Sequence, residues 1–346
     1  MNKRNDSIIK WAINRIENNY KDDVSLLLSY GSYVNGTANS LSDVDFYFIP
    51  KTERAYELCT TFIVESVGFD LFPMSWERVE GLAELQECLT PLLANVNILY
   101  CNSLEDKHRF EELQNKLNKN MNNKDFMLEK ASKELDSSIS LYETIMFEDS
   151  MCDIRTLAGK IAMSLSNVVA YINQTYFIFG LKKQMEDLKN FKSVPDDFIL
   201  MYESIVESNS EQEIKNYCYK MIQNTRIFLN SKIENPKENE KKANYEDLAE
   251  LYKEIISQWN KIYVSCDSGD YVLAYISGTC LQDELNAASI ENGLNKFDLM
   301  SSYNAKELNK FKERAIQLQK DFVKVIEDNG VIIESYTTVD EFINKN

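Results

Sequence analysis

The chain has 346 residues, 44% of them apolar and 27% charged, enough to bury one or two sizeable cores, which excludes a disordered, collagen-like or disulfide-stapled miniature protein. Its 55 acidic residues against 38 basic ones leave a formal charge of -17, so a long polyanion such as duplex DNA or tRNA meets net repulsion, whereas a small or cationic partner does not. Seven scattered cysteines without a CxxC pair and a single histidine, His108, argue against a Cys/His zinc cage and a Ser/His/Asp triad and read as the reduced thiols of a cytoplasmic protein.

Ten glycines and five prolines favour long uninterrupted helices over a turn-rich all-β fold. Ile9, Ala12, Ile13 and Ile16 recur at helical spacing over 7–18, with Asp6 as a candidate cap. Charges interrupt the apolar residues of this first segment, and nowhere do about eighteen apolar residues run together, which predicts neither a secretory leader nor a membrane span. Strand-like runs follow at Val24 to Tyr30, at Val44 to Ile49 before Pro50, and at Val67 to Phe72 before Pro73, with a fourth at Ala94 to Tyr100. Ala55, Leu58, Cys59 and Phe62 mark a helix between the second and third strands.

Beyond Ser103 amphipathic helices are predicted over about 104–118, 127–148, 153–179, 196–207 and 210–230. A polar break at 234–243 precedes further helical spacing from Leu248 to Ile262 and from Leu308 to Val325. The expected fold is thus an α/β (α+β) N-terminal domain over 1–120, built on a small mixed sheet. An all-α helical bundle over 121–346 follows it, with two sub-bundles divided near 234–243.

Chemistry concentrates in the stretch 29–49. A strand ends in Gly31-Ser32, and the next begins with Asp43-Val44-Asp45. Strand residues two apart share a face, so Asp43 and Asp45 project together. Two adjacent carboxylates repel unless a divalent cation lies between them, which points to Mg²⁺. Asp70, mid-strand among apolar neighbours where an unpaired charge is costly, needs a partner, and the same metal is the economical one; a buried, hydrogen-bonded carboxylate is the other reading. Gly31-Ser32 offers backbone N–H groups and a hydroxyl to the oxygens of a triphosphate.

The order apolar-Gly-Ser, a ten-residue spacer, Asp-apolar-Asp-apolar and a lone acid on the following strand resembles the DNA polymerase beta-type nucleotidyltransferase superfamily. With Pro73 and Trp76 after Asp70 and a helical region behind, it is most similar to the bacterial aminoglycoside and lincosamide nucleotidyltransferases. The resemblance covers about residues 1 to 120. It implies that Gly31 and Ser32 hold the nucleotide's phosphates, that Asp43 and Asp45 ligate two Mg²⁺ ions, and that Asp70 ligates one of them and helps deprotonate the acceptor. The implied reaction transfers a nucleoside monophosphate, AMP from ATP, to a hydroxyl of a small molecule such as a cationic antibiotic, with pyrophosphate leaving. Alternatives are adenylylation of a protein side chain, as in antitoxin-type relatives, and a non-catalytic nucleotide sensor.

Other residues carry two readings each. Lys160, in a polar stripe with Ser164, Asn167 and Tyr171, either reaches the triphosphate or belongs to a solvated face. Lys182-Lys183, after Gly180, serves the phosphates or caps a helix. Trp76 and Glu77 suit a cationic sugar or simply start a helix, and Asn35-Gly36 reads as turn chemistry.

Overall fold

Strand β1 (Val24–Tyr30) follows helix α1 (Lys3–Asn19) and runs into a one-turn helix, α2 (Gly31–Val34). Then come β2 (Asp45–Pro50), a 3-10 turn (Glu53–Leu58), β3 (Thr60–Val64), β4 (Val67–Pro73), α3 (Trp76–Ala83), α4 (Pro91–Ala94) and β5 (Asn97–Cys101). Six helices complete the first of two units: α5 (Leu104–Met121), α6 (Lys124–Met146), α7 (Met151–Ile172), α8 (Gln184–Asn190), α9 (Phe198–Glu207) and α10 (Glu211–Lys232). This computed structural model describes residues 3–233 and 243–345, and the chain divides into the units Met1–Glu234 and Asn235–Asn346. The polar break expected at 234–243 lies, except for its last residue, outside the described residues.

The five strands form one mixed sheet in the order β3-β4-β2-β1-β5. Strand β1 is antiparallel to β2 and β5, β3 is antiparallel to β4, and β2 runs parallel to β4. One face presents Leu26, Leu28, Tyr47 and Ile49 to the helices that follow the sheet. The other presents Leu27, Phe46, Phe48, Phe69 and Leu71 to Ala12 and Ile16 of α1 and to Ala55 and Leu58. Cover on both faces is why β1 and β2 read as unbroken apolar runs, whereas the edge strand β3 alternates between half-buried and exposed.

Several sequence expectations are corrected here. Asp6 does not cap α1 but lies inside its first turn. Ala55 and Leu58 belong to the 3-10 turn, and Phe62 belongs to β3, a strand the helical spacing concealed. The β3–β4 hairpin turns at Glu65 and Ser66, with φ of 51° and 65°. That left-handed pair is the geometry for which glycine or asparagine is the usual signal, and neither is present. Ala94 falls in α4, and α7 ends at Ile172 rather than 179.

Packing also runs unbroken across position 120. Leu135, Ile161, Met201 and Met221, from α6, α7, α9 and α10, share one core with Leu26 and Tyr47 of the sheet. The second unit contains α11 (Tyr245–Ser268), α12 (Tyr271–Asn292), α13 (Leu308–Glu327) and α14 (Val339–Lys345). Its core gathers Trp259, Leu281, Phe311 and Phe322. A Cβ at Gly278 would lie 2.7 Å from Phe311 Cζ, so glycine lets α12 approach α13 closely. Among the described residues no helix is long and apolar enough to cross a membrane, and all seven cysteines are free.

Candidate functional site

The site is built where β1 ends and β2 begins. Tyr30, the last residue of β1, pairs with Asp45, the first of β2. Gly31 then turns the chain with a φ of +72°, and a Cβ there would overlap Asp45 Oδ2 and sit 2.9 Å from Asp45 Cγ. Glycine is required twice over, by backbone conformation and by space. The close approach places the Asp45 carboxylate near the Ser32 backbone N–H, which favours its charged form.

Asp45 is half-buried. Burial, with the charge of Asp43 beside it, pushes its carboxyl up to about 6, while Lys182 and the Ser32 N–H oppose the rise. The pair thus carries a repulsion that is only partly offset, in a partly desolvated place. The phenol of Tyr30 is held well above its ordinary value by burial and then by the charges of Asp45, Asp43 and Asp70. All three carboxylates therefore act on one half-buried hydroxyl at the end of the sheet.

Asp70 has a different setting. The parallel register pairs Phe46 with Leu71 and Tyr47 with Phe72, so Asp45 and Asp70 occupy neighbouring positions on the same face. Asp70 is nevertheless exposed, and its Oδ1 accepts a 2.9 Å bond from Thr61 Oγ1, directly across on β3. The expected cost of a buried charge is absent, because β4 alternates buried and exposed positions rather than lying inside the core. Among the described residues no three His, Cys, Asp or Glu side chains form a group able to hold a metal ion. The donors that are present are hard carboxylate oxygens, with Asp43 and Asp45 as the near pair. This fits Mg²⁺, which commonly takes one or two carboxylates and completes its shell with water and substrate phosphates.

Asp43 and Val44, expected on the second strand, lie in the loop before it, since β2 starts at Asp45, and this loop is held from α1. Asn5, fully buried, donates to the carbonyls of Ser42 and Asp43, each at 3.2 Å. Arg4 donates to the carbonyls of Ser40 (3.2 Å) and Ser42 (2.9 Å). The Tyr33 hydroxyl donates to Asp6 Oδ1 at 2.7 Å. Sequence reasoning missed these supports, although a signal exists. Asn5 continues the buried stripe of Ala12 and Ile16 at helical spacing, and a polar residue on an apolar stripe needs a partner.

Lys182 is exposed, and its charge opposes the rise of the Asp45 carboxyl. Lys183 points elsewhere, to Glu186 at 3.5 Å and over the Phe179 ring. Lys160 is exposed on α7, and among the described residues no interaction ties it to the carboxylates. Its stripe partners Ser164 and Tyr171 are buried. Ser164 donates to Glu134 Oε1 at 2.6 Å, and Tyr171 donates to Cys88 Sγ at 3.3 Å, so they join α7 to its neighbours rather than facing solvent.

Trp76 packs on the core, and the Arg109 guanidinium lies 4.2 Å from its ring centroid. That face is taken and is not open to a cationic sugar. Glu77 is an exposed carboxylate in the first turn of α3, which Ser75 caps. His108 is exposed.

No family model and no curated protein matches the chain. Among solved structures it is similar to a nucleotidyltransferase-like protein from Exiguobacterium sibiricum 255-15, with a TM-score of 0.40, 10% identity, and coverage of 65% of this chain and 75% of that one.

Proposed function

We propose that this protein transfers a nucleoside monophosphate from a nucleoside triphosphate, ATP in the simplest case, to a hydroxyl of a small acceptor. The observation that carries the proposal is the Asp43–Asp45 pair. Two carboxylates are crowded at a strand start against a glycine turn, one of them half-buried and pushed up to about 6. A protein that needed only a turn here would have no use for a crowded charge pair whose repulsion opposes folding.

In this reading Asp43 and Asp45 would hold Mg²⁺, which when bound would supply charge compensation for the phosphates and the leaving pyrophosphate. The Ser32 hydroxyl and the Lys182 ammonium orient the triphosphate. Asp70, exposed and steadied by Thr61, receives the proton of the attacking hydroxyl. The chain forms no covalent intermediate; its part is alignment and charge compensation. The net charge of -17 supports a small cationic acceptor, for which an aminoglycoside-like antibiotic is our first choice.

The test is incubation of the protein with Mg²⁺, α-labelled ATP and a panel of aminoglycosides and lincosamides, read by mass spectrometry. A monophosphate adduct with matching pyrophosphate release supports the proposal. Nucleotide binding without turnover across a broad panel would replace it with the sensor reading.

A further inference from the structure

The connection between α7 and α8, residues 173–183, returns from the helices to the glycine turn, and it is attached at successive points. The Asn173 side chain donates to Ser193 O at 2.7 Å and accepts from Ser193 N at 3.1 Å. The Tyr176 hydroxyl donates to Asn95 Oδ1 at 2.6 Å. Phe177 is buried against Phe191, with ring centroids 5.5 Å apart.

Past Phe177 the attachment thins. Ile178 and Leu181 are exposed, and Gly180 turns with a φ of +58° and no atom within 4 Å of where a Cβ would stand. Among the described residues, one hydrogen bond ties segment 178–183 to the sheet side of the site, from Asn35 Nδ2 to Ile178 O at 3.0 Å. Asn35 is also the residue that closes α2, its N–H donating to Gly31 O. One side chain therefore connects the Gly31–Ser32 turn to the segment that bears Lys182.

We propose that Asn35 is a positioning residue, a latch that holds segment 178–183 over the glycine turn so that the Lys182 ammonium faces the triphosphate. This rests on the nucleotidyl-transfer reading of the site and deepens it by assigning the part that orders Lys182. The bond is exposed and single, so the segment opens and closes at small cost, and a polyanion bridging Lys182 and the turn favours the closed form. A side chain that contacts no phosphate then controls nucleotide affinity through one that does.

The experiment has two arms. In the first, hydrogen exchange is measured on the nucleotide-free protein. Asn35→Ala should raise exchange across 178–183 while leaving 173–177 and the sheet unchanged, and unchanged protection of 178–183 overturns the latch. In the second, binding of a non-hydrolysable ATP analogue with Mg²⁺ is titrated calorimetrically in wild type, N35A, K182A and the double variant. N35A should weaken binding about 3- to 10-fold, the range expected for one hydrogen bond. In the K182A background it should have almost no further effect, because the latch acts through that lysine. Asn35→Gln, which keeps the amide donor, should recover part of the affinity.

Full additivity of N35A and K182A overturns the proposal, since Asn35 would then act on nucleotide by itself. Should the wild-type protein bind no nucleoside triphosphate, the nucleotidyl-transfer reading is what fails, and the exchange arm decides the latch.

Discussion

Asp45 and Asp70 sit side by side on parallel strands of one sheet, yet they live in different solvents. Asp45 starts a central strand covered on both faces, touches the glycine turn and carries a like charge beside it. Asp70 sits one strand nearer the edge, where it is exposed and hydrogen-bonded to Thr61. The same functional group is thus under tension at one position and relaxed at the next. Position in the sheet, rather than residue type, decides which carboxylate a divalent cation would relieve.

The largest expected effect of that contrast is on Asp45. Asp45→Asn should lower turnover by roughly a thousandfold or more. It should also raise the melting temperature of the metal-free protein at pH 8. The sign follows from the raised carboxyl: the native state takes up this proton more readily than the unfolded chain between about pH 4 and 6. The group's contribution to stability therefore falls as pH rises through that window and is least favourable above it. The melting-temperature advantage of D45N should shrink as pH is lowered toward 4; a variant less stable than wild type at pH 8 would count against the strained pair.

Next in size is Gly31→Ala. It combines a left-handed backbone with overlap on the Asp45 carboxylate and should cost on the order of 3 kcal/mol in urea unfolding, together with loss of turnover. Asp70→Asn should reduce turnover by about ten- to a hundredfold and leave the metal-free melting temperature unchanged. If D70N matched D45N in its effect on stability, the distinction between the two positions would disappear.

Asn5→Ala leaves the carbonyls of Ser42 and Asp43 without that donor and should cost about 1–3 kcal/mol, with weaker Mg²⁺ binding as the Asp43 loop loosens. The smallest effect concerns pH. The melting shift produced by Mg²⁺ should grow from pH 5 to pH 7.5, because protons compete for Asp45 near pH 6. A shift independent of pH would place the metal elsewhere.

Much of the sheet was legible because its signals are local. The run Val24 to Tyr30 matches β1 residue for residue, and the prolines at 50 and 73 close β2 and β4. Strand β3 was hidden because Ala55, Leu58 and Phe62 mimic a helical period while serving two different elements, and because its hairpin turns on Glu65 and Ser66 instead of glycine. Helix α12 gave no clear amphipathic stripe, since Tyr271, Val272, Tyr275 and Ile276 remain exposed beside its buried positions Ala274, Leu281 and Leu285.

At the site, the residue types and the closeness of Asp43 to Asp45 along the chain follow from the order of amino acids alone, whereas the shared strand face does not hold, because β2 starts at Asp45 and leaves Asp43 in the loop before it. The burial of Asp45, the exposure of Asp70, the support from Asn5 and the arrival of Lys182 do not follow from that order either. Each depends on which segments pack together across long stretches of chain. A carboxylate's energy is set by the solvent and charges around it, and those neighbours exist only once the tertiary structure has formed.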